Sequence, residues 1–165
     1  MQPTDLPLTL STADGASLAI HHWPAAGTAT AQLIICHGMA EHGARYAALA
    51  EPLNAKGISV QAMDLRGHGA STPELPRGVL AAGVDWSHLV DDVALLLKRT
   101  RAAHPNQPIV LLGHSMGSYL AQSVLIGHSA LVDVAILSGS HAQPAAASTA
   151  AGLVARIEGL LRGPQ

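Results

Sequence analysis

Of the 165 residues, the stretch 111–120, LLGHSMGSYL, holds the side chain best placed for chemistry. An apolar run ends at Gly113. His114, Ser115, Met116 and Gly117 follow, and a second apolar stretch begins. This G-x-S-x-G spacing suits a strand that turns sharply into a helix with a serine at the tip. Gly113 and Gly117 would let strand and helix pass closely. The helix N-terminus would aim free N–H groups at charge developing beside Ser115. With 16 glycines in the chain, chance alone yields about 0.1 such matches. The context carries the weight, because a buried-type strand precedes the pattern and a helix follows it. A serine hydroxyl is a poor nucleophile until a base takes its proton. The pattern therefore calls for a histidine and an acid elsewhere.

Two further loops follow strand-like runs. HGMAEHGARY (37–46) comes directly after QLIIC (32–36). A backbone N–H just past that strand would face the serine turn, and Met39 is the candidate donor to an oxyanion. Gly38 gives this loop its turn. DLRGHGAS (64–71) follows ISVQAMD (58–64). Its Asp64, Arg66 and His68 read as a hydrogen-bonded loop rather than as reacting groups.

The elements that must position these loops alternate. LTLST (8–12) and SLAIHHW (17–23) flank Ala13, Asp14 and Gly15 and predict a hairpin. The unbroken apolar run at 32–36 fits a strand buried on both faces. A helix is expected over 45–56, with Pro52 inside it. Residues 65–84 hold six glycines and prolines and read as loop. In 86–104, Trp86, Leu89, Val90, Val93, Leu96 and Leu97 share one helical face. Asp91 and Asp92 lie toward its start and Lys98, Arg99 and Arg101 toward its end, as the helix dipole favours. Strands are expected at 108–113 and 133–139, with a helix over about 116–126 between them. Leu153, Val154, Ile157, Leu160 and Leu161 share a face of a last helix. Strands alternating with helices after a hairpin predict an α/β doubly wound sheet.

Composition narrows the field. Thirty alanines inflate the hydrophobic fraction of 48%, phenylalanine is absent, and Trp plus Tyr total four. Leucine, isoleucine and valine must therefore supply most of the burial energy. The net charge of -2 comes without a basic patch, which argues against nucleic acid. Cys36 is the only cysteine, so no intrachain disulfide forms, and its apolar run makes it an inert core residue. The N-terminal residues do not read as a signal peptide, and no apolar run approaches the roughly 20 residues of a membrane span. A cytoplasmic protein is the expectation. None of the histidines has the spacing of a metal ligand.

Taken together, HGMAEHGARY, DLRGHGAS and LLGHSMGS, in that order and each after a strand, resemble the α/β-hydrolase family. Within it they are similar to the monoacylglycerol lipase and lysophospholipase branch, also labelled serine aminopeptidase-like. The resemblance covers roughly residues 8 to 140. It implies a mostly parallel α/β-hydrolase sheet of which six of eight strands are present. It implies Ser115 as nucleophile and the N–H groups of Met39 and Met116 as oxyanion hole. It implies hydrolysis of carboxylic esters of lipid-like alcohols without metal or organic cofactor. Residues 1–140 would be the N-terminal part of the core, and 141–165 the start of a cap.

The resemblance stops at the triad. In that family the acid follows the seventh strand and the histidine the eighth, in the chain order serine, acid, histidine. After Ser115 this chain offers Asp133 and Glu158 as acids and His128 and His141 as histidines. None is in the required setting. The expectation is a truncated sequence whose base lies outside these residues, with a rewired triad through His141 or His42 as the alternative. Loss of the histidine alone cost about 10⁶ in kcat in a serine protease, so near-inactivity is expected. The competing class is a non-catalytic product that binds through an open sheet edge. That edge, at the sixth strand, would also favour self-association. Epoxide hydrolases and dehalogenases are disfavoured because those relatives carry aspartate at the elbow.

Overall fold

The computed structural model describes residues 8–72, 74, 78–141, 149, 152–154, 156–158 and 161. Strands β1 (Leu8–Ser11) and β2 (Ser17–Trp23) form the expected hairpin. Gly15 takes φ +87° in its turn, which the Thr12 N–H closes onto the Ala16 carbonyl at 3.0 Å. The next strands are β3 (Ala31–Cys36), β4 (Ile58–Met63), β5 (Ile109–His114) and β6 (Val134–Ser138). All six join one sheet in the order β1-β2-β4-β3-β5-β6, with β4, β3, β5 and β6 parallel.

Helices α1 (Ala47–Asn54), α2 (Trp86–Ala103) and α3 (Met116–His128) connect the parallel strands. The helix expected over 45–56 begins instead with a 3-10 turn, Gly43–Tyr46. Gly43 explains the tight start, since a Cβ there would lie 2.7 Å from the His21 ring and 2.8 Å from the Ala62 carbonyl. The expected face of α2 is buried except at Val90, which is half-buried, and at Trp86, which is 40% exposed and donates its indole N–H to Ser123 Oγ. Asp85 caps α2 by accepting from the Ser87 and His88 N–H groups. Asp92, placed toward the start of α2 as the helix dipole favours, is also buried. It is 3% exposed and paired with Arg66.

The sheet separates two cores because successive strand residues face opposite sides. Ile34 and Cys36 of β3 pack with Leu111, Leu97 and Leu120. Leu33 and Ile35 pack on the other face with Trp23, Val60 and Ala50. Cys36 is buried, and burial pushes its thiol up to about 12. It therefore stays protonated and unreactive.

The topology sets the site. The chain leaves β3 toward β4 on one side and returns past it to β5 on the other. Cys36 lies opposite both Met63 and Gly113, so the loops after β3, β4 and β5 leave the same end of the sheet. Crevices for ligands form at such a reversal, outside the carboxyl ends of the strands. The described residues after 141 are helical at 152–154 and 156–158, and Leu153, Val154, Ile157 and Leu161 are exposed. The expectation for Leu160 lies outside the described residues.

Candidate active site

Ser115 sits between β5 and α3 at φ +50° and ψ −119°. A non-glycine residue there carries about 1–3 kcal/mol of strain and persists only when neighbours enforce it. They do. The Ser115 N–H donates to the Ser138 carbonyl at 2.8 Å. Its carbonyl accepts from the Ser118 N–H at 2.9 Å and from Ser118 Oγ at 2.6 Å. The flanking glycines are obligatory. A Cβ on Gly113 would fall 2.3 Å from the Gly117 carbonyl oxygen, and one on Gly117 would fall 2.1 Å from the Cys36 carbonyl oxygen.

The loop after β3 lies against the serine. A Cβ on Gly38 would be 3.3 Å from Ser115 Cβ. Three of its backbone donors are committed. Gly38 N–H donates to Glu41 Oε2 at 3.1 Å, Ala40 N–H to His68 Nε2 at 3.2 Å, and Glu41 N–H to the Gly38 carbonyl at 3.4 Å. Among the described residues, Met39 N–H makes no hydrogen bond, and neither does Met116 N–H at the start of α3. Met39 follows Gly38, which lies against Ser115, and Met116 follows Ser115 directly. Burial raises the Glu41 carboxyl, but the Gly38 N–H and Arg45 outweigh it and leave it below its ordinary value. Glu41 also accepts from Arg45 Nη1 and Tyr46 Oη, which anchors the loop to the turn behind it.

The loop after β4 is the structured one that the sequence suggested. Asp64 accepts from Gly43 N–H at 2.6 Å, Ala70 N–H at 2.8 Å and His21 Nε2 at 3.1 Å. Burial raises its carboxyl, yet His21 and the two N–H groups hold it below its ordinary value. Arg66 uses Nε and Nη2 on Asp92 and Nη1 and Nη2 on Asp14.

Two of the other triad candidates, Asp133 and His141, are engaged elsewhere. Among the described residues no histidine or carboxylate hydrogen-bonds Ser115 Oγ. Asp133 accepts from Ile109 N–H at 2.7 Å and pairs with Arg101 at 2.5 Å. It lies at the opposite end of β6 from Ser138, roughly 17 Å along a five-residue strand. His141 is held by Tyr119, whose hydroxyl meets its Nδ1, carbonyl and N–H. His114 Nδ1 lies 3.4 Å from Ser138 Oγ.

His37 is fully buried. Burial is the main cause that lowers its imidazole from 6.5 to about 4, with His68 adding to it and the Gly38 carbonyl, Asp64 and Glu41 opposing it. The unfolded chain takes up this proton below about pH 6.5, whereas the folded one resists to about 4. His37 therefore leaves stability intact above pH 6.5 and removes about 3 kcal/mol as pH falls to 4. Urea unfolding at pH values across that window checks this. A His37→Gln chain whose stability falls equally would remove the cause from His37.

A strained serine between a parallel strand and a helix, at the reversal of a mostly parallel sheet, defines an α/β-hydrolase. The chain belongs to the family described as serine aminopeptidase S33, whose model matches residues 27–162. It is 38% identical over 117 residues to monoglyceride lipase of Homo sapiens, a match that covers 71% of this chain and 37% of that one. It is 39% identical over 85 residues to monoacylglycerol lipase of Mycolicibacterium smegmatis, which covers 52% of this chain and 29% of that one. A thermostable carboxyl esterase from Bacillus coagulans superposes with a TM-score of 0.78 at 23% identity, over 92% of this chain and 49% of that one. The chain thus spans a little over a third of the length of the human relative it matches. No helix among the described residues is long and apolar enough to cross a membrane.

Proposed function

We propose that this chain carries the nucleophile half of a serine hydrolase for carboxylic esters of lipid-like alcohols. The observation that supports it best is Ser115 at φ +50°, with unspent N–H groups on Met116 next to it and on Met39 in the adjoining loop. Ser115 Oγ attacks the ester carbonyl carbon and a histidine accepts the hydroxyl proton. The carbonyl oxygen becomes an oxyanion that takes hydrogen bonds from the two N–H groups. The intermediate expels the alcohol, which leaves with that proton. Water then cleaves the acyl-enzyme and restores the serine. The histidine and acid come from outside the described residues, and 141–165 begin the cap over the acyl pocket. The names of the relatives favour monoacylglycerols as substrates.

Residues 1–165 alone are therefore near-inactive, by about 10⁶ relative to a complete triad. A fluorophosphonate probe with mass spectrometry tests this. Slow phosphonylation mapped to Ser115 and absent from Ser115→Ala supports the reading. Labelling of Ser115→Ala at the same rate overturns the nucleophile, and fast labelling of the unmodified chain overturns the near-inactivity.

A second reading rests on β6. Its five residues are all exposed, uncharged, and paired only with β5 among the described residues. Such an edge is a template for another strand. A second copy fits it, because antiparallel VAILS sets Ile136 opposite Ile136 and brings no like charges together. Sedimentation velocity is expected to show dimers that Ile136→Lys converts to monomers. Monomers throughout would exclude this use of the edge.

A further inference from the structure

Four backbone contacts outside the reacting groups make one unit. His37 Nδ1 lies 2.8 Å from the Gly38 carbonyl, and its Nε2 lies 3.0 Å from Leu65 N. His68 Nδ1 lies 2.9 Å from the Arg66 carbonyl, and its Nε2 lies 3.2 Å from Ala40 N. A carbonyl only accepts and a backbone N–H only donates, so the partners fix the tautomer of both rings. Each ring is neutral, protonated at Nδ1 and bare at Nε2. Each holds a carbonyl of its own loop and takes an N–H from the other loop. The two rings meet edge to face with centroids 5.0 Å apart, and both residues are buried.

The contacts fall on the two peptides that flank Met39. His37 holds the carbonyl of the Gly38–Met39 peptide. In a trans peptide the N–H points opposite the carbonyl, so this bond turns the Met39 N–H away from His37. His68 holds the N–H of the Met39–Ala40 peptide, next to Ala40 at φ +57°. That φ is uncommon for alanine and needs such a restraint.

We infer that His37 and His68 form a reciprocal brace that fixes both peptides of Met39 and so aims its N–H toward the serine turn. They are positioning residues, and the inference rests on the reading of Met39 as an oxyanion donor. It gives the loop after β4 a share in the site, although among the described residues none of its side chains hydrogen-bonds the serine.

Nitrogen-detected NMR of the full 165-residue chain with ¹⁵N-labelled histidine tests the brace. Both rings are expected to show a protonated Nδ1 and a bare, hydrogen-bonded Nε2. A protonated Nε2 on either ring overturns the inference without any substitution. His68→Leu is expected to speed Ala40 amide exchange by about tenfold and to shift the Met39 amide resonance. His68→Gln, whose side-chain oxygen can take the same N–H, is expected to restore both. An unmoved Met39 resonance in a folded His68→Leu chain overturns the inference. Phosphonylation of Ser115 separates it from the reading beneath. A drop of about 10²-fold in His68→Leu, recovered in His68→Gln, supports both. An unchanged rate beside a shifted Met39 amide keeps the brace and overturns Met39 as the oxyanion donor.

Discussion

Gly117→Ala is expected to prevent stable folding of the serine turn. The added methyl carbon would fall 2.1 Å from the Cys36 carbonyl oxygen and 2.6 Å from the carbonyl carbon. These are backbone atoms of β3, the strand hydrogen-bonded on both sides. No rotamer relieves the overlap, so α3 must move off the sheet. That movement would open the packing of Leu120, Ala121 and Val124. Overpacking that side chains can absorb costs about 1–3 kcal/mol, and this substitution should exceed that range. Circular dichroism and urea unfolding beside the parent chain check it. Gly127→Ala in the same helix meets nothing within 4 Å and is the control, expected to be neutral or slightly stabilising. A well-folded Gly117→Ala chain would mean that α3 does not lie where Gly117 puts it.

Arg66→Ala carries the second large effect. The Arg66 and Asp92 side chains are 8% and 4% exposed, and they share two hydrogen bonds, of 2.6 and 2.8 Å. Removing the guanidinium leaves a buried carboxylate without its partner. Breaking a buried pair this way costs about 3–5 kcal/mol, most of it from the stranded charge. The Asp14 side of the bond network is more exposed and adds less. Arg66→Met with Asp92→Leu removes both charges together and should recover much of the loss. Stability of the single and double variants in urea decides the matter. Equal stability of Arg66→Ala and the parent chain would remove the pair from the framework of the hairpin, loop and α2.

How far the site could be read from residues depended on the range of each interaction. Gly113, Ser115 and Gly117 are close in sequence, and their conformation follows from one local turn. The approach of the loop after β3 to the serine was legible because a loop leaving a central strand must pass the turn that leaves its neighbour. Asp92 was read by its place along the helix, yet its partner lies 26 residues earlier. Trp86 fits the apolar period, but its place at the first turn of α2 leaves it at the rim. His68 looked like part of a self-contained loop, since nothing nearby reveals that its Nε2 reaches Ala40, 28 residues away.

The sequence by itself determined the alternation of strands and helices, the three loops that each follow a strand, and the serine at a sharp strand-to-helix turn. These follow from hydrophobic period and glycine placement, which act over a few residues. Only the tertiary structure decided which N–H groups stay unspent, which histidines are locked as neutral acceptors and which carboxylates are consumed by arginine. Those outcomes depend on hydrogen bonds a few ångströms long between segments tens of residues apart. Such distances exist only once the sheet has brought β3, β4 and β5 side by side.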